Sequence, residues 1–508
     1  MATGCLETGL DLRQARLLAR AGRLSIEDLL DLLEEQDRLR HLDLDTIRRQ
    51  AAEIDRLKQR LEQYEPEIQR EPAPAPDKPG HRPSVPYSVA AEEKRRRPHH
   101  RRKKSPGRRP TEAKWTLVQR EENVVPDGWR LEDCVLVRRR CVWRLEEGRA
   151  IQIGYRIYRA PGESEPGIPG VPRRCEYGIE ILVVLAYLVY VIGISLHKAC
   201  AVLGFFCQLP LSRSQADALL RQLAQHWEAE FDTLCNLLVH AAIVYADETG
   251  WKVGQTGCSL WAFVTEQLRL LRFGCRKDGA TLESILPPAR FHGILVSDDA
   301  AVYDRYRHAQ KCWAHLLRKI IRLAVLYPRR RRYQRFLDEL LQLYYDAKRA
   351  AADHRLGDQG RRSRVADLEG RLAALCLKYG AQEAADQSPP EREFTNLVKE
   401  LADLLVAEQL FTFVLDPRVE ATNNVTERQL RSPAQEREAG RTSKAPTGAQ
   451  RRSVVVSILE TLRVNLPAFT FASVVEEVRA WMENGVSLLD KMWEAMSKPD
   501  QALAPNTS

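Results

Sequence analysis

The stretch from His240 to Asp299 constrains the fold most, because strand and helix patterns alternate within it. Three β-rich runs, AAIVYADETGWKV, CSLWAFV and LRLLRFGC, are separated by short turn segments, which predicts an antiparallel meander. A helical stretch follows around Thr281 to Leu286, and the run RFHGILVSDDAAVYD then has the pattern of a fourth strand. The sequence therefore predicts a unit of the α/β class at the centre of the chain.

Acidic residues stand where these strands would normally be apolar. Asp247 lies inside the first run, where a charge is costly unless a positive group meets it. Asp298 and Asp299 follow the fourth run, and both remain candidates because a one-residue shift would exchange their faces. Much later, NNVTERQLR opens a predicted helix that carries Glu427. Three carboxylates from two strands and a helix could hold two divalent cations about 3.5 to 4 Å apart. An all-oxygen site favours Mg²⁺ or Mn²⁺ over zinc.

Each of these residues also has a simpler structural interpretation. Asp247 could be an edge-strand or turn acid, and Asp298 could cap a helix. The segment from Asn424 to Glu427 has the pattern of a capping box, in which the glutamate only binds a backbone N–H. Cys312 and His315 share a helical face but supply only two of four zinc ligands, which favours packing or positioning. Only the joint placement of the acids favours catalysis.

Basic residues near these acids predict contact with a polyanion. The sequence has no acid between Ala309 and Leu337, so its many basic residues favour a DNA-backbone contact over simple solvation. Arg428 and Arg431 flank Glu427 and could clamp a phosphate or the scissile strand, or form ordinary ion pairs. The candidate DNA-contacting residues in the acid-free stretch are Arg318, Lys319 and Arg322.

Residues 176–238 are predicted to form a helical block. Two short helices joined by a break at Leu209-Pro210-Leu211, the second capped by Ser212 or Ser214, fit a helix-turn-helix that binds a DNA major groove. Generic helical packing would give the same pattern. The apolar run from Ile181 to Leu196 is shorter than the roughly 20 residues of a membrane span, so we expect a buried helix and no membrane partner.

Three different segments precede this block. Residues 115–175 alternate apolar and polar side chains between turn signals, which predicts a small β-rich unit. Residues 66–114 hold ten of the 27 prolines and the ten Lys and Arg residues between Lys94 and Arg109, which predicts a disordered basic linker that lies along phosphates or is merely solvated. Residues 1–65 carry an interrupted heptad pattern, which fits a coiled-coil arm for homo-oligomerisation or an amphipathic helix packed on its own chain.

Cysteine usage and the N-terminal sequence predict the cellular compartment. The eleven cysteines are scattered, and none forms a Cys-x-x-Cys pair, which indicates a reducing compartment and argues against a disulfide framework. The first residues, MATGCLETGLDLRQARLLAR, lack the basic start and apolar core of a secretory signal. We therefore expect a cytoplasmic protein.

Taken in order, several of these motifs resemble the DDE transposases of the insertion sequence 66 family. The resemblance covers roughly residues 179–466 and implies a ribonuclease-H-like catalytic core over residues 239–466, with a helical insertion at about 327–407 and a C-terminal helix and tail at 467–508. The matching segments are Asp247 to Trp251, Ser297-Asp298 with Tyr303, Cys312 to Arg318, Asn423 to Arg431, and the helix from Gly448 to Arg463.

The resemblance implies a DNA transposase that cleaves and joins phosphodiester bonds at the ends of a mobile element. It implies that Asp247, Asp298 and Glu427 are the catalytic metal ligands for two Mg²⁺ or Mn²⁺ ions. The implied partners are element-end DNA, target DNA and accessory transposition proteins. The implied location is the bacterial cytoplasm, in association with the nucleoid.

Two departures from the family pattern keep a second function open. Before the helical block, where relatives carry a cysteine-rich, zinc-finger-like segment, only Cys134 and Cys141 occur, without paired spacing. After the glutamate, an Arg-Lys pair is replaced by Arg437-Glu438. The alternative is a catalytically impaired, transposase-derived protein that binds DNA or regulates. A nuclease that cuts without joining strands is a third reading.

Overall fold

The computed structural model describes residues 114–380 and 388–497 of the chain. The predicted arm at residues 1–65 and the linker up to residue 113 lie outside the described residues, as does the tail beyond residue 497. The homo-oligomer that we expected from the arm therefore stays a prediction.

The segment predicted to be β-rich contains a three-stranded sheet. Its strands are β1 (Arg120–Val124), β2 (Val135–Glu146) and β3 (Arg149–Arg159), in the order β1-β3-β2. Strands β2 and β3 are antiparallel, and the two-residue turn between them places Glu147 and Gly148 at φ 47° and 78°. Two successive positive φ values are typical of the tight turns that match strand twist, and glycine is the residue that adopts them most readily.

A helical block follows this sheet and includes the apolar run. Helix α1 (Ile179–Ala186) is buried over almost its whole length and continues into a π-helical turn that ends at Val191. The predicted buried helix is therefore confirmed for the first part of the apolar run only, because residues 192–195 are not helical. Ser212 caps α3 in a reciprocal capping box with Gln215, which selects Ser212 over Ser214 as the cap. Among residues 114–380 and 388–497, no helix combines the length and apolar character needed to cross a bilayer. The helices are α1 (Ile179–Ala186), α2 (Leu196–Phe206), α3 (Arg213–His226) and α4 (Glu228–Val239).

A five-stranded mixed sheet forms the centre of the described chain, in the order β6-β5-β4-β7-β8. The first three strands are the predicted antiparallel meander, and β7 and β8 run parallel to β4. Helix α5 (Gly279–Ile285) connects β6 to β7, as the helical pattern there predicted. The α/β class is thus confirmed. The strands are β4 (Ile243–Val253), β5 (Thr256–Val264), β6 (Arg269–Cys275), β7 (Ile294–Ser297) and β8 (Ala309–Lys311).

Five helices between β8 and the segment that carries Glu427 bury one face of this sheet. Tyr245 of β4 and Val296 of β7 share a hydrophobic cluster with these helices, whereas Val244 and Ala246 belong to the cluster on the other face. This alternation follows from the two-residue period of a strand. The helices are α6 (Trp313–Leu326), α7 (Arg331–Ala352), α8 (Asp358–Gly380), α9 (Pro389–Val406) and α10 (Thr412–Leu415).

The C-terminal helices are α11 (Asn424–Glu438), α12 (Pro446–Asn465), α13 (Phe471–Asn484) and α14 (Leu488–Ser497). Helix α12 covers the outer edge of β6. The hydroxyls of Ser453, Ser457 and Thr461 accept hydrogen bonds from backbone N–H groups of β6 at 2.9–3.1 Å. Four residues along a helix and two residues along a strand span similar distances. Each of the three hydroxyls on α12 therefore lies opposite a different N–H group of β6. An otherwise unpaired sheet edge is thereby satisfied.

Candidate active site

Asp247 lies in a central strand. Strand β4 is flanked by β5 and β7, and Asp247 itself pairs with Ala262 of β5, so the edge-strand interpretation is wrong. By alternation, Asp247 faces the same side as Tyr245, towards α6. Its Oδ1 atom accepts a hydrogen bond from the backbone N–H of Glu248 at 2.8 Å.

Asp298 emerges beside Asp247 because their strands are parallel and in register. Tyr245 of β4 is opposite Val296 of β7, and each acid follows two residues later. Asp298 makes a local turn in which its Oδ1 accepts the backbone N–H of Ala300 at 3.1 Å. It does not cap the short 3₁₀ helix that follows, whose N-cap is Ala300.

Asp299 points to a different set of partners. Its carboxylate is ion-paired with Lys319 and hydrogen-bonded with Glu400. Burial alone would raise the pKa of Asp299, but these side-chain contacts outweigh it and hold the pKa below its usual range. The Asp299 charge is therefore compensated, which favours Asp298 as the second acid of the site.

Glu427 belongs to the first turn of α11 and contacts α6. Its Oε1 accepts a hydrogen bond from Arg318 at 2.8 Å and lies 3.8 Å from Nε2 of His315. The capping-box interpretation is wrong, because the N-cap is Asn423 and no side chain caps the helix there. The carboxylate of Glu427 is thus directed away from its own helix end.

Asn423 joins the three elements that carry the site. It is fully buried, and its side-chain amide donates to the carbonyl of Ala246 at 2.8 Å. Its backbone N–H donates to Sγ of Cys312, at the start of α6, at 3.2 Å. This contact joins Cys312 to the residue before α11. Asn423 was not among the predicted site residues, although it begins the family-like motif from Asn423 to Arg431.

The electrostatics indicate that Asp247 and Asp298 lack a sufficient counter-charge. Burial raises the pKa of Asp247 to about 7, and the nearby carboxylates of Asp298, Glu248 and Glu427 add to the increase. Burial also raises the pKa of Asp298, again with a contribution from Glu248. Such shifts mark groups whose ionised form lacks a sufficient counter-charge. They are frequent at functional sites.

The donor chemistry suits a hard divalent cation, but the carboxylates are engaged within the protein. No group of three His, Cys, Asp or Glu residues in the described chain converges closely enough to hold a metal ion as it stands. Asp247 binds a backbone N–H, Asp298 binds another, and Glu427 binds Arg318. Metal binding would therefore require these side chains to exchange their present partners.

The basic residues predicted to contact DNA fall into two groups. Those of α6 are paired with acids: Arg318 with Glu427, Lys319 with Asp299 and Glu400, and Arg322 with Glu393. Arg428 and Arg431 of α11 are exposed and form no ion pair with another residue of the described segments.

The end of α11, where the sequence departs from the family pattern, contacts its neighbours through Glu436 and Arg437, and Glu438 is exposed. Glu436 is buried and ion-paired with Arg452, so it does not present its charge to solvent. Arg437 binds the Thr249 hydroxyl at 3.0 Å and the Gly250 carbonyl at 2.8 Å. Both residues thus attach α11 to its neighbours.

A second group of residues near the acids was not predicted. The Glu248 side chain is 3% exposed, accepts a hydrogen bond from the Tyr303 hydroxyl at 2.6 Å, and is ion-paired with Lys277. Lys311 is fully buried, and its Nζ donates to the backbone carbonyl of Asp298 at 3.1 Å. Tyr303 and Glu248 occur in the quoted motifs, but nothing in the sequence indicates that they contact one another.

The candidate acids, Asn423 and the junction between α6 and α11 lie within a segment matched by a known family. The model of the family described as Transposase IS66 family matches residues 174–451, more than half of the chain. The chain belongs to the IS66 transposase family. Membership indicates a transposase, a class of protein that binds and cleaves DNA. A search of curated proteins found no match.

Proposed function

We propose that this IS66-family protein is a DNA transposase that cleaves and joins phosphodiester bonds at the ends of a mobile element. Asp247, Asp298 and Glu427 are its metal ligands in two-metal DDE chemistry. The observation that carries the proposal is geometric: the parallel register of β4 and β7 places Asp247 beside Asp298, and Asn423 attaches the start of the helix that carries Glu427 to β4. The raised pKa of Asp247, caused mainly by burial, agrees with a functional site at this place.

The roles of the residues follow from their contacts. Two Mg²⁺ or Mn²⁺ ions, when bound, supply activation of water or a 3′ hydroxyl and stabilisation of the leaving oxygen. Asp247 from within β4, Asp298 from the turn after β7 and Glu427 from α11 would hold them. In the metal-free chain, Arg318 partly neutralises Glu427. Asn423 fixes the start of α11 against β4.

The proposed organisation follows from the same elements. The five-stranded sheet with α11 and α12 corresponds to a ribonuclease-H-like core at residues 239–466, and the helices α7–α9 correspond to the insertion at about 327–407. Helices α2 and α3, joined by a short break, correspond to a helix-turn-helix within residues 176–238. The remaining proposed units are residues 115–175 and the C-terminal residues 467–508.

DNA contact is proposed for both basic groups. Arg428 and Arg431 are exposed next to Glu427, where a scissile strand must pass. Arg318, Lys319 and Arg322 follow one another along α6, and each side chain is at least a third exposed. Exposed ion pairs such as Arg318–Glu427 and Arg322–Glu393 contribute little energy, so a phosphate can replace their carboxylates. The partners are element-end and target DNA, with accessory transposition proteins, in the bacterial cytoplasm and nucleoid.

The test is strand cleavage of element-end DNA by the full-length chain in Mg²⁺. Asp247→Ala should abolish cleavage and leave the gel shift of the same DNA within about twofold, because the residue binds metal and not DNA. Unchanged cleavage by this variant would refute the assignment. Cleavage without any joined product would indicate a nuclease instead.

A second candidate is a catalytically impaired protein that binds or regulates DNA. The observation that favours it is that no three potential ligands in the described chain converge on a metal as they stand. The same assay distinguishes the two, since such a protein would shift the DNA and give no Mg²⁺-dependent product.

A further inference from the structure

Glu248 lies behind the acids, on the opposite face of β4 from Asp247. Both of its oxygens are occupied: Oε2 accepts the Tyr303 hydroxyl at 2.6 Å, and Oε1 is ion-paired with Lys277. Tyr303 is fully buried, with its ring edge-to-face against Trp261 at 6.0 Å. A buried tyrosine hydroxyl bound to a carboxylate is a short, directional contact.

Tyr303 also connects this contact to the second acid. It lies in the 3₁₀ helix Ala301–Tyr303, directly after the turn that Asp298 forms. Lys311 approaches the same turn from β8, with Nζ 5.5 Å from the Tyr303 ring centroid and 3.1 Å from the Asp298 carbonyl oxygen. Its ammonium group is ion-paired with no carboxylate of the described residues and binds the turn instead.

These contacts hold two chain segments at a fixed separation. The β4–β7 pairing ends at Tyr245 and Val296, so no backbone pairing within that ladder fixes Asp247 against Asp298. The Tyr303–Glu248 hydrogen bond spans this gap from one side, and Lys311 fixes the turn from the other.

We infer that Tyr303, Glu248 and Lys311 are positioning residues, which hold the Asp298 turn against the middle of β4 so that Asp247 and Asp298 face the same cations. The inference rests on the proposed function. Groups that orient metal ligands typically change metal affinity or activity by about 10- to 100-fold when they are removed.

The test compares two variants that make the same chemical change. Tyr303→Phe removes the hydroxyl bound to Glu248, and Tyr306→Phe removes a buried hydroxyl whose only partner within the described residues is the Leu286 carbonyl. Mn²⁺ binding to the full-length chain is measured by titration, and Mg²⁺-dependent cleavage of element-end DNA is measured in parallel. Tyr303→Phe should weaken Mn²⁺ binding and reduce kcat by about 10- to 100-fold with little change in DNA affinity. Tyr306→Phe should change both by less than about twofold.

Further variants separate positioning from general loss of structure. Glu248→Gln keeps an acceptor for the Tyr303 hydroxyl and should retain more Mn²⁺ affinity than Glu248→Leu. Lys311→Met keeps the side-chain volume but removes the ammonium group. It should reduce kcat and weaken Mn²⁺ binding, as Tyr303→Phe should. If Tyr303→Phe and Tyr306→Phe changed Mn²⁺ binding and kcat equally while Asp247→Ala was inactive, the positioning role would be wrong and the proposed function would stand. Unchanged metal binding and cleavage in Asp247→Ala would overturn the proposed function and the inference with it.

Discussion

Replacement of Asp247 by asparagine should stabilise the metal-free protein. In the chain without metal, burial and the neighbouring carboxylates raise the pKa of Asp247 to about 7. Asparagine has the same shape and keeps an oxygen that can accept the Glu248 N–H, but it has no charge. A substitution that abolishes the proposed activity would therefore increase the stability of the fold.

The magnitude and sign follow from linkage between protonation and folding. The folded pKa of about 7 exceeds the ordinary value of 3.8, so the folded chain holds the proton more tightly than the unfolded chain. The contribution of Asp247 to stability is fully present below about pH 4 and is lost as the pH rises through about 7. A shift of about 3 units corresponds to at most about 4 kcal/mol. We expect Asp247→Asn to gain about 1 to 4 kcal/mol at pH 8 and almost nothing at pH 4.

The assay is urea unfolding of the full-length chain in EDTA at several pH values. Asp217→Asn is the matched control, because Asp217 pairs with Arg451 and Arg221 at 2.8 and 2.7 Å. That variant should lose up to about 1 kcal/mol at pH 8. If Asp247→Asn were as stable as wild type, or less so, at pH 8, the uncompensated charge at the site would be refuted.

Three further predictions concern the charged residues around the acids. Arg428→Gln and Arg431→Gln should each lower the slope of log affinity against log salt for DNA by about 1, with equal losses on element-end and unrelated duplexes. Arg318→Gln should tighten Mn²⁺ binding to the DNA-free chain by up to about fivefold, because it releases Glu427 from a largely exposed ion pair; weaker binding would contradict this. Glu436→Gln should reduce the free energy of unfolding by about 3 to 5 kcal/mol, since it leaves a buried arginine unpaired, and urea titration measures this.

The sequence predicted the sheet and the acids because both depend on local patterns. Alternation of apolar and polar residues identified β4, β5 and β6, and turn residues between them specified the antiparallel meander. The run that ends at Asp298 identified β7. A charge inside an apolar strand is visible in the sequence, so Asp247 could be selected before its neighbours were known.

The contacts between distant segments could not be predicted in this way. The stretch 309–337 contains no acid, and its basic residues therefore predicted contact with a DNA backbone or simple solvation. In the structure their partners come from other segments: Glu393 and Glu400 from α9, Glu427 from α11 and Asp299 from the turn after β7. A short segment of sequence does not show which distant residues will contact it in the folded chain.

Hydrogen bonds of buried polar side chains to distant segments could not be predicted for the same reason. The side-chain amide of Asn423 donates a hydrogen bond to the Ala246 carbonyl, and the ammonium group of Lys311 donates one to the Asp298 carbonyl. The sequence shows only one amide and one lysine among many. Their importance follows from the rule that buried polar groups must be paired, which can be applied only once burial is known.

Helix α6 explains how a cluster of acids persists in the absence of cations. Arg318 binds Glu427, and one turn earlier His315 lies 3.8 Å from the same carboxylate. Lys319 binds Asp299, the residue next to Asp298. The helix thus supplies partial counter-charge to two of the three segments that carry the acids. Asp247 receives none of it directly, and burial with the neighbouring carboxylates raises its pKa to about 7. Because a largely exposed pair such as Arg318–Glu427 contributes at most about 1 kcal/mol, a phosphate could replace Glu427 at Arg318 while cations replace Arg318 at Glu427.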